Sequence, residues 1–413
     1  MTVSPDQSAA PDTPGRAALR REAALCRQWL FEAALPFWAT SGTDQAGGFF
    51  ERFHPDGTPT DEPRRARVVG RQIYSFAMAE RMGWTGPARA IQDHGLAFLR
   101  RGLIGPDGMV VATCTPAGVS IDSRFDLYDH AFVLFGLAGA ASVRGDGLAL
   151  SAFAEELLRR MMARWKHPAA GFEESHPRSL PLKANPHMHI LEASLAWTEV
   201  SSSPVGGAPV WGARVWGARV WEALADEIAE LCLRCFLDPA TGALREYFDA
   251  DWLFVGDHAG SVVEPGHQLE WAWLLFRWGR LRDRADAVAA ARRLIEIADR
   301  YGTDPARDLV INELNADLTL RDPLARLWPQ TERIKAFVTL GRMAETAAEA
   351  DAAFAAAARA AAGLRRYWVH PIRGCWWEHI GIDGKPLIEA TRASSLYHIV
   401  CAISEMGRAE DAI

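Results

Sequence analysis

The stretch Val263-Glu264-Pro265-Gly266-His267-Gln268-Leu269-Glu270-Trp271 predicts the start of a helix with ionisable side chains on a face that would otherwise be apolar. Pro265 suits a first helical turn, and a helix N-terminus favours the negative charge of Glu264. His267 and Glu270 are three residues apart and therefore share one face of the helix. This motif by itself fits either a helix start with one hydrogen-bonded histidine or part of an active site.

The composition is that of an ordinary globular protein and excludes several classes of function. The 413 residues are 49% hydrophobic and 23% charged, which allows a large core. A net charge of −7 argues against nucleic acid as a partner, and no apolar run is long enough to span a membrane. We expect residues 1–15, which are polar and lack a signal-peptide pattern, to be a disordered tail, and residues 16–413 to form a single catalytic domain.

The six cysteines favour a reducing compartment. Cys232 and Cys235 form the one C-x-x-C pattern, but it lies within a helical run and no second pair completes a zinc site. Buried free thiols are therefore expected, and a cytoplasmic location follows from them. The sixteen tryptophans give mild support for a carbohydrate ligand, because sugar-binding clefts use aromatic faces.

A unit of one β-like piece followed by two helices recurs along the chain. The β-like pieces begin near residues 47, 108, 171, 242, 308 and 374, so successive starts are 61, 63, 71, 66 and 66 residues apart. The spacing of 71 contains a direct repeat, Val210 to Arg214 and Val215 to Arg219, which indicates a local duplication in one outer helix. The helical patterns cover residues 16–39, 66–82, 87–101, 124–143, 149–166, 187–200, 210–236, 262–281, 285–301, 323–345, 350–370 and 392–406.

Six such units predict an all-α fold, an (α/α)6 barrel of six helical hairpins with short β-hairpin pieces between the repeats. A closed ring buries every inner face without an exposed end. An open solenoid of HEAT type is the structural alternative, but it does not call for a β-like piece in every repeat.

One helix of each unit carries a polar residue near its start. In a closed barrel, equivalent positions of six inner helices converge at one end, and such a set is better explained as the lining of a cavity than as six isolated core residues. The six residues are Arg71, His130, His189, His267, Gln330 and His398.

Proton transfer is the chemistry that this histidine-rich ring favours. A helix N-terminus keeps a histidine neutral near pH 7, while a nearby carboxylate such as Glu270 orients the ring and opposes that effect. A metal site at His187 and His189 is an alternative, but alternate residues of a helix point in different directions. A glycosidase that uses Glu270, Glu192 or Asp129 is another, although histidines rather than carboxylates dominate the ring.

The sequence resembles the N-acylglucosamine 2-epimerase superfamily, which includes cellobiose 2-epimerases, mannose isomerases and related aldose–ketose isomerases. The resemblance covers nearly the whole chain. It rests on the motifs Gly47 to Phe50, Gly70-Arg71-Gln72, Tyr128-Asp129-His130-Ala131, Asn185-Pro186-His187-Met188-His189, Glu264 to Trp271, Leu327-Trp328-Pro329-Gln330-Thr331-Glu332 and Tyr397-His398.

The resemblance implies that His267 and His398 are the catalytic acid and base. It also implies a set of sugar-binding residues, with no metal and no cofactor. That set is Arg71, Tyr128, Asn185, His189, Glu270, Trp328 and Gln330.

Two departures from the family favour a monosaccharide over a disaccharide. Family members commonly carry two adjacent tryptophans where this chain has Leu327 and Trp328, and cellobiose-active members carry a tryptophan in the region where this chain has residues 392–396. If the substrate is phosphorylated, Lys183 and Arg178 are the candidate phosphate contacts.

The predicted activity is the interconversion of an aldose and a ketose of the mannose–fructose type through a cis-enediol, in a monomer or homodimer. A sugar 2-epimerase, acting on mannose and glucose or on their N-acylamino derivatives, is the alternative, because two histidines serve either outcome. A non-catalytic carbohydrate-binding barrel is the alternative from another class, but binding alone does not require two opposed proton carriers.

Overall fold

The structure, a computed structural model, describes residues 13–202 and 213–409. These residues form six pairs of helices when residues 14–40 are counted as one helix that is α-helical at both ends and π-helical at Leu30–Ala34. The helices are α1 Pro14–Trp29, α2 Leu35–Thr40, α3 Ala66–Arg81, α4 Ala88–Phe98, α5 Leu127–Ala141, α6 Gly147–Trp165, α7 Ala184–Ser202, α8 Ala213–Leu231, α9 Pro265–Arg282, α10 Ala285–Arg300, α11 Leu327–Arg342, α12 Ala347–Arg365 and α13 Ser395–Arg408. Short π-helical or 3-10 turns occupy Leu30–Ala34, Leu99–Leu103, Cys232–Phe236 and Arg366–Trp368.

Six of the helices form a closed inner ring. Helices α3, α5, α7, α9, α11 and α13 each pack against the next, and α13 packs back against α3. The remaining helices lie outside them as partners. The predicted (α/α)6 barrel is therefore confirmed, and the open solenoid is wrong.

The difference between inner and outer helices follows from the residues. Helix α9 is buried on nearly every side from Pro265 to Gly279, because two inner neighbours and an outer helix surround it. Helix α10 carries a single apolar stripe that includes Ala287, Ala291 and Leu294, at the spacing expected of a helix with one face in water.

Two glycines let α3 and α5 approach closely near the cavity described below. A Cβ atom at Gly70 would lie 2.2 Å from the carbonyl oxygen of Phe132, and one at Gly136 would lie 2.5 Å from that of Gly70. Because both obstacles are backbone atoms, a side chain here would separate the two helices.

Short strands join each unit to the next. The strands are β1 Arg52–Phe53, β2 Arg64–Arg65, β3 Thr113–Cys114, β4 Ser120–Asp122, β5 Phe125–Asp126, β6 Ser175–His176, β7 Leu182–Lys183, β8 Tyr247–Phe248, β9 Val262–Val263, β10 Thr303–Asp304, β11 Leu309–Val310, β12 Glu313–Asn315, β13 Leu320–Asp322, β14 Ala325–Arg326, β15 His379–Ile380 and β16 Thr391–Arg392. The strand before each inner helix pairs with the β-like piece of the following unit, in the antiparallel ladders β2–β3, β5–β6, β7–β8, β9–β12 and β14–β15. The sixth ladder, β16–β1, pairs the last unit with the first and closes this ring as well.

Each β-like piece begins with a residue of positive φ, which is why the repeat could be read from its glycines. Five of these residues are glycines, and the fifth unit instead has Asp308 at φ 51°. The Asp308 carboxylate accepts a hydrogen bond from Arg333 Nη1 at 2.8 Å, which helps to hold this conformation.

The structure also bears on the predicted N-terminal tail and on the predicted duplication. Helix α1 begins at Pro14, two residues before the predicted domain start, and the Gly15 amide donates to Asp351 Oδ1 at 2.7 Å. Residues 1–12 of the predicted tail and the start of the predicted duplication, residues 210–212, lie outside the described residues. Among the described helices, none is long and apolar enough to cross a membrane.

Candidate active site

A cavity of about 220 Å³ opens at the end of the barrel where the six inner helices begin. The N-terminal ends of these helices carry partial positive charge, so this end of the barrel favours an anionic ligand or intermediate. Eight of the nine predicted site residues line the cavity. They are Arg71, Tyr128, Asn185, His189, His267, Glu270, Trp328 and His398.

Three cavity histidines share one arrangement, in which Nδ1 faces a buried carboxylate. His267 Nδ1 lies 3.0 Å from Glu246 Oε2, and His398 Nδ1 lies 2.9 Å from Glu332 Oε1. The third pair is His189 Nδ1 and a carboxylate of its own helix, Glu192 Oε2, at 3.0 Å. Each pairing fixes the ring orientation and leaves Nε2 as the nitrogen directed to the cavity, as second-sphere carboxylates do for other catalytic histidines.

The environments of His267 and His398 drive their pKa values in opposite directions. Burial opposes the imidazolium of His267, but the charges of Glu246 and Glu264 outweigh it and raise the pKa of His267 to about 10. Burial and the positive charges of Arg71 and Lys335 lower the pKa of His398 well below its ordinary value. Near pH 7 His267 is therefore protonated and His398 neutral, which is the pattern of an acid–base pair.

Trp328 contacts both of these histidines. Its ring centroid lies 5.0 Å from that of His267 and 5.7 Å from that of His398, with both rings tilted against it. The indole therefore packs against both imidazole rings and contributes an apolar surface to the cavity.

Arg71 is held between aromatic rings. Its guanidinium lies 3.9 Å from the Phe132 ring centroid, and Nη2 donates to Tyr128 Oη at 2.7 Å. The side chain is buried, and its Nε has no hydrogen-bond partner among the described residues. Asn185 Oδ1 is likewise buried without a partner there, so both side chains offer polar atoms to a sugar.

A cluster of buried charges lies beneath the histidines. Tyr397 Oη donates to Glu192 at 2.7 Å and lies 3.3 Å from Glu270 Oε1. Lys335 Nζ lies 2.5 Å from Glu332 Oε2, and both side chains are fully buried. This lysine is the positive charge that compensates the three glutamates, because burial of an unpaired charge is costly.

Ionisation within the cluster is uneven. Burial and the neighbouring charge of Glu332 raise the pKa of Glu270 well above its ordinary value. Burial also opposes ionisation of Glu192, but hydrogen bonds from His189 and Tyr397 and the charge of Lys335 lower the pKa of Glu192 to about 2. Ionisation is therefore less favourable for Glu270 than for Glu192, and Glu192 is the carboxylate that orients His189.

The structure does not bring Gln330 into the cavity. Its amide accepts from the Val310 amide at 2.9 Å and donates to the carbonyl oxygens of Val310 and Arg326 at 2.9 and 3.0 Å. Three other residues anchor the β-like piece of their own unit in the same way. Each accepts a hydrogen bond from one backbone amide there. They are His130 with Val110, His187 with Phe172 and Gln268 with Leu244.

The expectation that six equivalent ring positions line one cavity is therefore only partly right. Residues at this anchoring position hold the β-like pieces to the helices, because a buried backbone amide needs a partner. His187 also points away from His189, so the two do not form the metal site considered from their spacing.

Glu246 is the carboxylate that orients the His267 ring, and it was not predicted from the sequence. From the sequence, this role was expected of Glu270. Glu246 follows a β-like piece at the place that Glu51, Glu174 and Glu378 occupy in other units, and all four are buried. The recurrence of a glutamate at this position of the repeat is the sequence feature that could have identified Glu246. Glu332 was visible within the Trp328 motif, but its bond to His398 spans 66 residues.

Among residues 13–202 and 213–409, the side chains close enough together to share a metal ion are grouped around the same three histidine–carboxylate pairs. Three groups bring such atoms within 4.8 Å of one another, and each contains one cavity histidine: His189 with Glu192 and Glu270, His267 with Glu246 and Glu264, and His398 with Glu270 and Glu332. In each group the shortest histidine–carboxylate contact joins Nδ1 to a carboxylate oxygen at 2.9–3.0 Å, which is a hydrogen-bond distance.

Comparison with known proteins gives one consistent family. The family model described as N-acylglucosamine 2-epimerase (GlcNAc 2-epimerase) matches residues 48–402. The mannose-6-phosphate isomerase of Rhizobium meliloti (strain 1021) is 44% identical over 380 residues, which are 92% of this chain and 95% of that protein. The D-mannose isomerase of Thermobifida fusca is 32% identical over 226 residues, 50% of this chain and 51% of that protein. The structure of cellobiose 2-epimerase from Spirochaeta thermophila DSM 6192 superposes with a TM-score of 0.82 at 20% identity, over 97% of this chain and 99% of that one.

Proposed function

This chain belongs to the N-acylglucosamine 2-epimerase family and is a sugar isomerase, and we propose that it interconverts an aldose and a ketose of the mannose–fructose type with His398 as base and His267 as acid. The observation that carries the assignment of roles is the opposite protonation of two histidines that contact the same tryptophan. A carbohydrate-binding barrel has no need of such a pair.

The first step is proton abstraction from C2 of the open-chain aldose. His398 Nε2 takes the proton, the C2–H electron pair forms the C1–C2 double bond, and the carbonyl pair moves to O1, which His267 protonates. Arg71 and the inner-helix N-termini stabilise the negative charge that develops on oxygen. Glu332 stabilises the imidazolium that forms at His398, as the carboxylate of a catalytic triad does.

The second step places one proton on C1 and removes another from O2. His398 delivers its proton to C1, the O2 hydroxyl returns a proton to His267, and C2=O forms. C1 is reduced and C2 is oxidised within one molecule, so the reaction balances without a redox partner.

A monosaccharide fits the cavity. Its volume of about 220 Å³ is below the roughly 300–1,000 Å³ typical of sites for drug-sized ligands. Leu327 is fully buried in the barrel wall, so Trp328 alone supplies the indole surface at this point of the cavity. The two relatives named above differ in whether the mannose is phosphorylated, while both are named as isomerases.

Incubation with mannose, fructose, glucose and lyxose in D2O, followed by NMR, tests the proposal. We expect mannose to give fructose with solvent deuterium at C1, together with partial transfer of C2 label from deuterated mannose to C1, because one base serves both carbons. Inversion at C2 without ketose would establish the 2-epimerase alternative. Absence of exchange with these sugars and with their 6-phosphates would refute the enzymatic assignment.

We also propose that the activity is independent of metal. Hydrogen bonds account for the close histidine–carboxylate contacts, and the ammonium group of Lys335 neutralises the charge of Glu332. Dialysis against EDTA should leave turnover intact. Loss of turnover that zinc, manganese or cobalt restores would show that this proposal is wrong.

A cytoplasmic location and a monomeric or homodimeric state complete the proposal. The six cysteines are free thiols, and five of them are buried, which suits a reducing compartment. Sedimentation of the purified protein distinguishes the two oligomeric states.

A further inference from the structure

Three arginines line the cavity, and none of them has a carboxylate within 4.0 Å among residues 13–202 and 213–409. They are Arg71, Arg326 and Arg392. Arg71 has a place in the sugar chemistry above, whereas Arg326 and Arg392 have none. Most other cavity-lining charges are compensated, so two free guanidinium groups beside the catalytic centre call for an explanation.

Among the described residues of the cavity wall, no carboxylate forms a close ion pair with Arg326 or Arg392. The charge of Arg326 favours ionisation of Glu264 and that of Arg392 favours ionisation of Glu378, but burial outweighs both and raises the pKa of the two carboxyl groups. Both oxygens of Glu378 already accept from Ser395 Oγ, at 3.0 and 2.9 Å. Three guanidinium groups without a close ion pair among the described residues therefore line this cavity, an arrangement that suits an anion.

Arg326 is fixed by its surroundings with its outer nitrogens left open. Its Nε donates to His379 Nε2 at 3.3 Å, and His379 Nδ1 in turn donates to Glu389 Oε1 at 2.8 Å. Its backbone amide donates to Asn312 Oδ1 at 3.0 Å. Its carbonyl oxygen accepts from Gln330, so this glutamine, expected from sequence to bind sugar, instead holds Arg326 in place.

Arg392 is positioned in a similar way on another strand, β16. Its backbone amide donates to Glu378 Oε1 at 3.0 Å, and it lies shortly before α13. Ser394, which precedes α13, and Ser395, its first residue, also line the cavity. Arg326 and His379 are register partners in the β14–β15 ladder, and Arg392 belongs to β16. Two guanidinium groups and a helix N-terminus thus border one side of the cavity.

We propose that Arg326 and Arg392 bind the phosphate of a hexose 6-phosphate, an inference that rests on the proposed isomerase function. The phosphate lies at the end of the open chain opposite C1 and C2, so it can occupy the mouth while C2 reaches the two histidines. Arginine forks match phosphate geometry and hold it through charge-assisted hydrogen bonds. Lys183 and Arg178, the phosphate contacts considered from sequence, do not line the cavity and pair with Glu174 and Glu173 instead.

The test compares mannose 6-phosphate with mannose in the full-length enzyme and in the variants R326Q, R392Q and the double variant. For mannose 6-phosphate we expect each single variant to lose about 10–100-fold in kcat/KM, mainly through KM, because hydrogen bonds to charged groups are lost. For mannose the same variants should stay within a factor of about two. Inorganic phosphate should inhibit turnover of mannose competitively, and the double variant should lose that inhibition.

Arg178→Gln is the matched control, because this exposed arginine pairs with Glu173 outside the cavity. It should leave both substrates unchanged. Both target arginines are at least partly exposed, so melting curves of the variants should match that of the wild type.

Two results would overturn the inference. One is equal wild-type kcat/KM for the two sugars, and the other is an equal loss for both sugars in the arginine variants. Calorimetric binding of mannose 6-phosphate and inorganic phosphate separates this inference from the proposed function. Arginine-dependent phosphate binding without turnover of either sugar would sustain the subsite and refute the isomerase. Turnover of mannose without phosphate binding would refute the subsite and leave the isomerase proposal standing.

Discussion

Replacement of Glu246 by glutamine tests the electrostatic basis of the proposed acid. Glu246 Oε2 lies 3.0 Å from His267 Nδ1, and the glutamine keeps a hydrogen-bond acceptor there while removing the charge. In the proposed mechanism His267 donates a proton, so activity should fall as pH rises through its pKa, which is raised to about 10 in the wild type.

The size of the effect follows from the geometry. Two unit charges about 4 Å apart interact by about 4 kcal/mol at an effective dielectric constant of about 20, which corresponds to about three pH units. Glu264, 3.8 Å from the same nitrogen, keeps part of the stabilisation of the imidazolium. We therefore expect the alkaline limb of kcat/KM in E246Q to move down by at least about two pH units, or about 2.7 kcal/mol.

The assay is the pH profile of kcat/KM for mannose isomerisation, with the enzyme-free rate subtracted because alkali itself enolises sugars. Glu174→Gln is the matched control, because Glu174 is a buried glutamate at the same position of another unit and has Lys183, outside the cavity, as its partner. Its profile should keep the wild-type alkaline limb. A folded E246Q enzyme with an unshifted alkaline limb would refute the assignment of His267 as the acid whose proton Glu246 stabilises.

Three further predictions concern the catalytic pair, the buried lysine and the helix packing. His398→Asn and His267→Asn should each lower kcat by about 10²–10⁴-fold in a folded protein, as loss of general acid–base catalysis does, and near-normal kcat in either variant would contradict the two-histidine mechanism. Lys335→Met removes the positive charge 2.5 Å from Glu332 and should cost about 3–5 kcal/mol in unfolding free energy, measured by urea denaturation. Because Lys335 lowers the pKa of His398, the acidic limb of kcat/KM in this variant should move to higher pH, and an unmoved limb would count against that coupling. Gly136→Ala should destabilise the protein by about 1–3 kcal/mol by forcing α5 away from the carbonyl of Gly70, whereas Gly407→Ala, with no atom within 4 Å of the new Cβ, should be neutral or stabilising.

The sequence was sufficient for the architecture and for the identity of the two proposed proton carriers. Helical periodicity and the positive-φ residues that begin each β-like piece are local properties, and a regular spacing of about 66 residues leaves a closed ring as the arrangement that buries every inner face. His267 and His398 were identifiable because they begin inner helices within motifs of the family.

The roles of their neighbours depended on the tertiary structure. The carboxylates that orient His267 and His398 are separated from them by 21 and 66 residues in the chain, and Gln330 proved to be directed at the backbone of Val310 and Arg326. A polar residue at the start of an inner helix faces either the cavity or the β-like piece beneath it, according to its rotational position around that helix axis. The opposite pKa shifts of the two histidines likewise arise from burial and from charges brought near by folding, and these through-space distances are not encoded in any local pattern of residues.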